Sequence, residues 1–220
     1  MNRVTSTLCF ITSVAVCFKS SAFALTLSGS VTTIDGEPVA EAVITAEGLL
    51  KTKITSAKSP YKMDQKNQEF KSHILALHVG ESVLFPNSDN IQHHVYSFSP
   101  TNPFEIQLYK GIPASPISFN KAGIVTLGCN IHDWMVGYIY VTDTPFFVQT
   151  DEKGHWQIDL PTDEYTLTLW HPQLDLPNNT QTQVINFNAK ATPIEYKVHL
   201  KSTIRTGKHP ADSEMQNPIY

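Results

Sequence analysis

Short stretches of alternating apolar and polar residues are the feature that most restricts how this 220-residue chain can fold. These stretches are rich in Val, Ile, Thr, Tyr and Phe, and they are separated by Gly, Pro, Asn or Asp residues. Side chains alternate between the two faces of a β-strand, so the pattern indicates strands with one buried face. Many short strands at close spacing, without long helical periodicity, predict an all-β fold built from β-sandwiches.

The predicted strands lie on both sides of one proline-rich stretch. They cover residues 25–33, 39–46, 74–79, 82–85, 94–98, 124–127, 137–142, 156–160, 165–170, 183–187 and 195–200. Residues 99–120 contain Pro100, Pro103, Pro113 and Pro116. Because proline cannot donate a hydrogen bond to a neighbouring strand, this stretch is predicted to be mostly loop.

The first 24 residues have the composition of a secretory signal peptide. Arg3 provides the positive charge, residues 8–18 form an apolar run, and Ala22-Phe23-Ala24 is a cleavage site of small residues. The apolar run is too short to cross a bilayer, and no later segment is long enough, so no membrane span is predicted. We therefore expect a mature protein that begins near Leu25 and is exported to the periplasm.

Removal of residues 1–24 changes the charge and the cysteine content. It leaves 14 of the 16 basic residues against 20 acidic ones, a net charge of −6, which argues against nucleic acid as a partner. It also removes Cys9 and Cys17, so Cys129 becomes the sole cysteine and cannot form an internal disulfide. A lone thiol in an oxidising compartment needs protection by burial, by an intermolecular disulfide or by a metal.

Cys129 opens a short segment with a second and a third metal-binding side chain. His132 and Met135 follow it at positions i+3 and i+6. Gly128 precedes the segment and a strand pattern over 137–142 follows it, which favours a tight loop between two strands over a helix. A loop this short brings its three side chains together.

Thiolate, imidazole and thioether together form a soft ligand set. Two histidines and a cysteine in a plane, with a weak axial methionine, is the arrangement of blue-copper sites. The second imidazole is predicted to come from His93 or His94, which begin a predicted strand. Adjacent residues of a strand point to opposite faces, so only one of the two is expected to bind the metal.

Residues 61–145 resemble the cupredoxins, the type 1 copper proteins that include plastocyanin and amicyanin, and the kind of protein labelled methylamine-utilisation protein. The Cys-x-x-His-x-x-Met loop is similar to the amicyanin ligand loop, and residues 79–87 resemble the strand before the first ligand. The resemblance implies one type 1 copper ion. The implied ligands are His93 (with His94 as the alternative), Cys129, His132 and Met135. It also implies supporting roles for Asn87, which would hold the loop before His93, and for the Asn130 backbone N–H, which would donate to the cysteine sulfur.

The flanks of this region resemble a carboxypeptidase regulatory-like, or transthyretin-like, domain. The resemblance rests on residues 29–43 and on residues 150–167. The implied organisation is listed here in chain order: signal peptide 1–24, first part of an accessory β-sandwich 25–60, cupredoxin-like copper domain 61–145, second part of the accessory sandwich 146–205, and a disordered tail 206–220. The alternative is that the flanks add strands to a single sandwich. Trp156 and Trp170 are expected to fill the accessory core.

The function that these residues predict is single-electron transfer between a redox donor and a redox acceptor. The chain contains no evident nucleophile–base set and no second copper centre, so it is not expected to be an enzyme. One alternative is a copper carrier, store or sensor without electron transfer. Another is an envelope interaction module in which copper is only structural. Trp134, beside His132, is predicted either to dock a partner or to pack over the site.

Overall fold

The computed structural model describes residues 24–49, 60–188 and 192–201. These residues form fifteen β-strands and one short 3₁₀ turn, and no α-helix, which confirms the predicted all-β fold. The strands are β1 Leu25–Thr33, β2 Val43–Gly48, β3 Tyr61–Lys62, β4 Ile74–His78, β5 Glu81–Leu84, β6 His93–Ser97, β7 Phe104–Tyr109, β8 Ile117–Phe119, β9 Gly123–Cys129, β10 Val136–Thr142, β11 Phe146–Gln149, β12 His155–Leu160, β13 Asp163–Trp170, β14 Thr180–Phe187 and β15 Ile194–Val198.

Two of the four sheets form what we call the site sandwich. One sheet has the strand order β4-β10-β9-β6-β7, and the other has the order β3-β5-β8. Apolar side chains from both sheets form one buried cluster, to which Val83 and Phe119 contribute from the smaller sheet and Val95, Leu127 and Ile139 from the larger one. The arrangement is consistent with the predicted cupredoxin-like β-sandwich.

The other two sheets form the flank sandwich. Their strand orders are β12-β1-β15 and β11-β2-β13-β14, so each sheet combines strands that lie before and after the site sandwich in the chain. Leu27, Trp156 and Tyr196 from the first sheet pack against Tyr165 and Leu167 from the second. The second small sandwich expected from the flanks is therefore present, whereas its likeness to transthyretin-like domains and the predicted domain boundaries remain predictions.

The two sandwiches meet through a third buried cluster. Trp170 on β13 packs against Tyr138 and Tyr140 on β10, with ring centroids 6.0 and 5.3 Å apart. Gln149 on β11 also bonds the free edge of β4: it accepts from the Ala76 N–H at 3.0 Å and donates to the Ile74 carbonyl at 3.0 Å. Trp156 fills the flank core as predicted, but Trp170 instead packs at this contact.

The prediction of loop for residues 99–120 was wrong in two places. β7 pairs with β6, and β8 pairs with β5. The prolines stand just before these strands, where Pro103 precedes Phe104 and Pro116 precedes Ile117, so no hydrogen bond of the ladder is lost. β3 and β11 were also not predicted: β3 has only two residues, and β11, Phe-Phe-Val-Gln, does not alternate apolar and polar residues.

The predicted signal peptide, up to residue 23, and the predicted disordered tail lie outside the described residues. Among the residues that are described, no helix is long and apolar enough to cross a membrane.

His171 makes the stability of the flank sandwich depend on pH. Its side chain is buried, and its Nδ1 accepts a hydrogen bond from the Gln173 N–H at 3.3 Å. Burial and, less strongly, the charge of His73 lower the pKa of His171 from 6.5 to about 4. The unfolded chain therefore takes up this proton at a higher pH than the folded chain, and the free energy of unfolding falls as the pH falls from 6.5 to 4.

We expect a loss of about 3 kcal/mol over that interval, at about 1.36 kcal/mol per pKa unit. Denaturant unfolding of the wild type and of His171→Asn at a series of pH values measures it. The asparagine Oδ1 retains an acceptor for the Gln173 N–H but does not titrate, so this variant should show a shallower pH dependence. Parallel curves for the two proteins would contradict the assignment.

Candidate metal site

The Cys129 loop joins two paired strands, as the sequence predicted. β9 ends at Cys129, β10 begins at Val136, and Val136 pairs with Gly128 across the two strands. The Met135 N–H donates to the His132 carbonyl at 2.9 Å, which closes the loop. A Cβ atom on Gly128 would lie 2.8 Å from Cζ of Tyr96, so a side chain at this position would displace the tyrosine ring that lies across the strand.

His93 enters the site from β6, the strand on the other side of β9. Val95 pairs with Cys129, which brings the start of β6 next to the ligand loop. Nδ1 of His93 lies 3.8 Å from Sγ of Cys129, and Nδ1 of His132 lies 3.7 Å from the same sulfur. One donor atom from each of the three residues lies within 4.8 Å of the other two.

These separations suit a single metal ion at the centre of the three donor atoms. Bonds of about 2.0 Å to nitrogen and about 2.3 Å to sulfur, opened by about 120°, set the nitrogen and sulfur about 3.7 Å apart. The measured distances of 3.7 and 3.8 Å agree with that value. Among the described residues, no other group of three or more His, Cys, Asp and Glu side chains lies close enough together to hold a metal ion.

The structure distinguishes the two adjacent histidines. His93, Val95 and Ser97 are buried on the inner face of β6, whereas His94 and Tyr96 lie on the other face. His94 places its Nε2 2.9 Å from Oε1 of Glu105 on β7, away from the sulfur. The strand alternation therefore brings His93, and not His94, to the candidate site.

Met135 and Trp134 complete the surroundings of the loop. Met135 is 1 % exposed and belongs to the same buried cluster as Cys129, which is 3 % exposed. Trp134 is half-buried, and its ring centroid lies 5.2 Å from that of His132. The ring centroid of His132 is also 5.0 Å from that of His93. Trp134 therefore packs beside His132, and the docking role also predicted for it stays a prediction.

Hydrogen bonds lower the pKa of the Cys129 thiol, although its burial would raise it. Burial alone would raise the pKa of the Cys129 thiol, but the hydrogen bond with His93 and the backbone N–H groups of His94 and Ile131 lower it overall. In the same way, burial would lower the pKa of His93, but its bonds to Cys129 and Asp89 raise it. The site therefore favours a thiolate, which is the form of cysteine that binds metals.

Asn87 has the contacts expected of a residue that holds the loop before His93. The backbone N–H of Asn130 was expected to donate to the Cys129 sulfur, and a different residue does so. Nδ2 of Asn87 donates to the carbonyls of Ile91 at 3.0 Å and Tyr109 at 2.8 Å, and these bonds hold the loop before His93. The backbone N–H that reaches the sulfur from the ligand loop is that of Ile131, one residue beyond the predicted Asn130.

Two residues near the site were not singled out from the sequence. Asp89 places Oδ2 2.8 Å from Nε2 of His93, and Tyr109, opposite His93 on β7, donates from its hydroxyl to the Phe85 carbonyl at 2.6 Å. The i, i+4 spacing of Asp89 and His93 is the signal that could have pointed to the first. It is a weak signal, because Asn87-Ser88-Asp89-Asn90 also has the composition of an ordinary turn.

Solved structures similar to this one include copper proteins, at low overall similarity. The copper-containing nitrite reductase of Thermus scotoductus SA-01 is 21 % identical over 44 % of this chain, with a TM-score of 0.38, and the match covers 26 % of the reductase. A purple cupredoxin from Nitrosopumilus maritimus is 18 % identical over 37 % of this chain and 99 % of its own, with a TM-score of 0.33. A reduced amicyanin variant is 19 % identical over 44 % of this chain and 99 % of its own, with a TM-score of 0.35.

No protein-family model and no curated protein matches the chain. The interpretation of the site therefore rests on the arrangement of its own residues.

Proposed function

We propose that this protein is an exported type 1 copper protein that carries single electrons between redox partners in the periplasm. The observation that supports the proposal is the convergence of His93, Cys129 and His132 within 4.8 Å of one another, in a buried cluster that also holds Met135. Two imidazoles, a thiolate and a thioether form the donor set of blue-copper electron-transfer sites. A copper ion bound there would supply a Cu(II)/Cu(I) couple.

The protein's own contribution is to hold the ligands still when the charge of the site changes. His93 and Cys129 lie on paired strands, and the loop carrying His132 and Met135 is closed by a backbone bond. Asn87 further fixes the loop before His93 through two backbone carbonyls. A ligand set fixed in this way cannot rearrange much between oxidation states, which is the requirement for fast electron transfer.

We propose that partners dock on apolar side chains exposed in the Cys129 loop, in the loop before His93 and beside Gly111. Ile131 is 46 % exposed beside His132, and Ile91 is 41 % exposed in the loop before His93. Ile112 is 73 % exposed and follows Gly111, which pairs with Asn87 at the base of that loop. His132 itself is half-buried, so a partner seated on these isoleucines comes close to a ligand of the site.

The direct test is reversible one-electron voltammetry of the copper-loaded protein, combined with its electron self-exchange rate. We expect a reversible wave, and Ile131→Lys should slow self-exchange about tenfold, because like charges then meet at the docking surface. Val184→Lys is the matched control: it adds the same charge at a side chain 64 % exposed on β14 of the flank sandwich. The absence of a reversible copper wave would overturn the proposed function.

The burial of the site favours electron transfer over a copper carrier or store. Cys129 is 3 % exposed and His93 is 0 % exposed, whereas a carrier has to release its metal readily. Copper that exchanges with a chelator within seconds, without reversible redox cycling, would favour the carrier instead. The proposal includes a redox donor and a redox acceptor as partners and no catalytic activity of its own.

A further inference from the structure

The carboxylate of Asp89 connects His93 to a neighbouring turn. Its Oδ2 lies 2.8 Å from Nε2 of His93 and accepts the Gln68 N–H at 2.8 Å, and its Oδ1 accepts the Asn67 N–H at 2.6 Å. The Asp89 side chain is 12 % exposed, and the side chain of His93 is fully buried. The Asp89 N–H in turn donates to Oδ1 of Asn87 at 3.0 Å.

This contact determines which nitrogen of His93 is available to a metal. A carboxylate that already accepts two backbone N–H groups acts as an acceptor toward the imidazole as well, so the hydrogen resides on Nε2. In the neutral imidazole, which is the form that binds a metal, the lone pair is then left on Nδ1, which lies 3.8 Å from Sγ of Cys129. Metal-binding histidines commonly donate their other ring N–H to a carboxylate, which fixes the tautomer and raises the basicity of the ligand.

We propose that Asp89 is a positioning residue that stabilises Cu(II) relative to Cu(I) at the site. The proposal rests on the proposed copper function. The buried negative charge is applied through His93 and favours Cu(II) over Cu(I), because the interaction grows with the charge of the ion. Asp89 therefore lowers the reduction potential of the site, in addition to orienting His93.

The test compares Asp89→Asn with Glu105→Gln. Glu105 is the matched control, because its Oε1 lies 2.9 Å from Nε2 of His94, the adjacent histidine that points away from the site. Both substitutions remove one negative charge beside a histidine, but only the first acts on a proposed ligand. Copper affinity in both oxidation states and the reduction potential are measured for the wild type and the two variants.

Asp89→Asn should weaken Cu(II) binding about 10- to 100-fold, with a smaller loss for Cu(I). Each tenfold difference between the two losses raises the reduction potential by about 59 mV for a one-electron couple. Glu105→Gln should leave both affinities and the potential close to wild type. Equal losses of Cu(II) and Cu(I) affinity, or an unchanged potential in Asp89→Asn, would overturn the proposal.

Two further measurements test the role of Asp89 independently of copper redox chemistry. Co(II) affinity reports the positioning role without redox chemistry: Asp89→Asn should lose about tenfold relative to Glu105→Gln even if the wild type forms no copper couple. That outcome separates a failure of the electron-transfer function from a failure of this proposal. Nitrogen-15 NMR of the histidines in metal-free wild type at alkaline pH should show the hydrogen of His93 on Nε2, and an Nδ1–H tautomer would refute the assignment.

Discussion

The Cys129→Ser variant should lose the intense blue charge-transfer absorption that we expect from the copper-loaded wild type. That absorption requires a thiolate bound to Cu(II), and a serine hydroxyl neither ionises at neutral pH nor provides the soft donor. Cu(II) affinity should fall by more than about 100-fold, beyond the loss usual for a residue that only supports a ligand. The measurement is absorption spectroscopy and competitive titration of the purified protein with Cu(II).

Asn130→Ser is the control for Cys129→Ser, because Asn130 is exposed and lies next to Cys129 in the chain. It should keep both the colour and the affinity. The metal-free unfolding of both variants should be compared with the wild type, since a hydroxyl buried in place of the thiol costs about 1–3 kcal/mol. Colour that persists in Cys129→Ser, or a wild type that binds stoichiometric copper without colour, would contradict the ligand assignment.

The Trp170→Ala variant should lower the free energy of unfolding by about 3–5 kcal/mol, the range for truncating a large buried aromatic side chain. Trp170 is 3 % exposed and packs its ring against Tyr138 and Tyr140, so its removal leaves a cavity between the two sandwiches. Val43 and Ile74, which line the same cluster, are held by backbone pairing and cannot move in to fill it. Chemical denaturation measures the loss.

Val184→Ala is the matched control for this truncation. Val184 lies on β14, which pairs with the strand carrying Trp170, but its side chain is 64 % exposed. Its truncation should change the free energy of unfolding by about 0.5 kcal/mol or less. A loss below 1 kcal/mol for Trp170→Ala would mean that the contact between the sandwiches contributes little to stability.

Local patterns predicted most of the strands because alternation is a property of the chain itself. β1 was predicted with the bounds that the structure has, Leu25–Thr33, and β10 was predicted to within one residue. β7 and β8 were missed, because nearby prolines outweighed two short runs whose partners, β6 and β5, lie elsewhere in the chain. Such strands form because distant segments pair, and residue propensities within a short window carry no information about that pairing.

At the Cys129 loop, the sequence leaves open which of His93 and His94 faces the cysteine. The spacing of Cys129, His132 and Met135 already identified three side chains that a tight loop brings together, and the alternation rule showed that His93 and His94 cannot both face them. Which of the two does so depends on the pairing of β6 with β9, and this places His93 on the buried face.

The sequence by itself determined the all-β class, the Cys129 loop and the chemical character of its side chains, because each follows from residue type and short spacing. Only the tertiary structure decided that His93 faces Cys129, that Ile131 and not Asn130 reaches the sulfur, and that Asp89 holds His93. These contacts join segments that are separated along the chain or turned by a loop. They are set by strand register and by the burial of the two cores, and local sequence does not encode either of these.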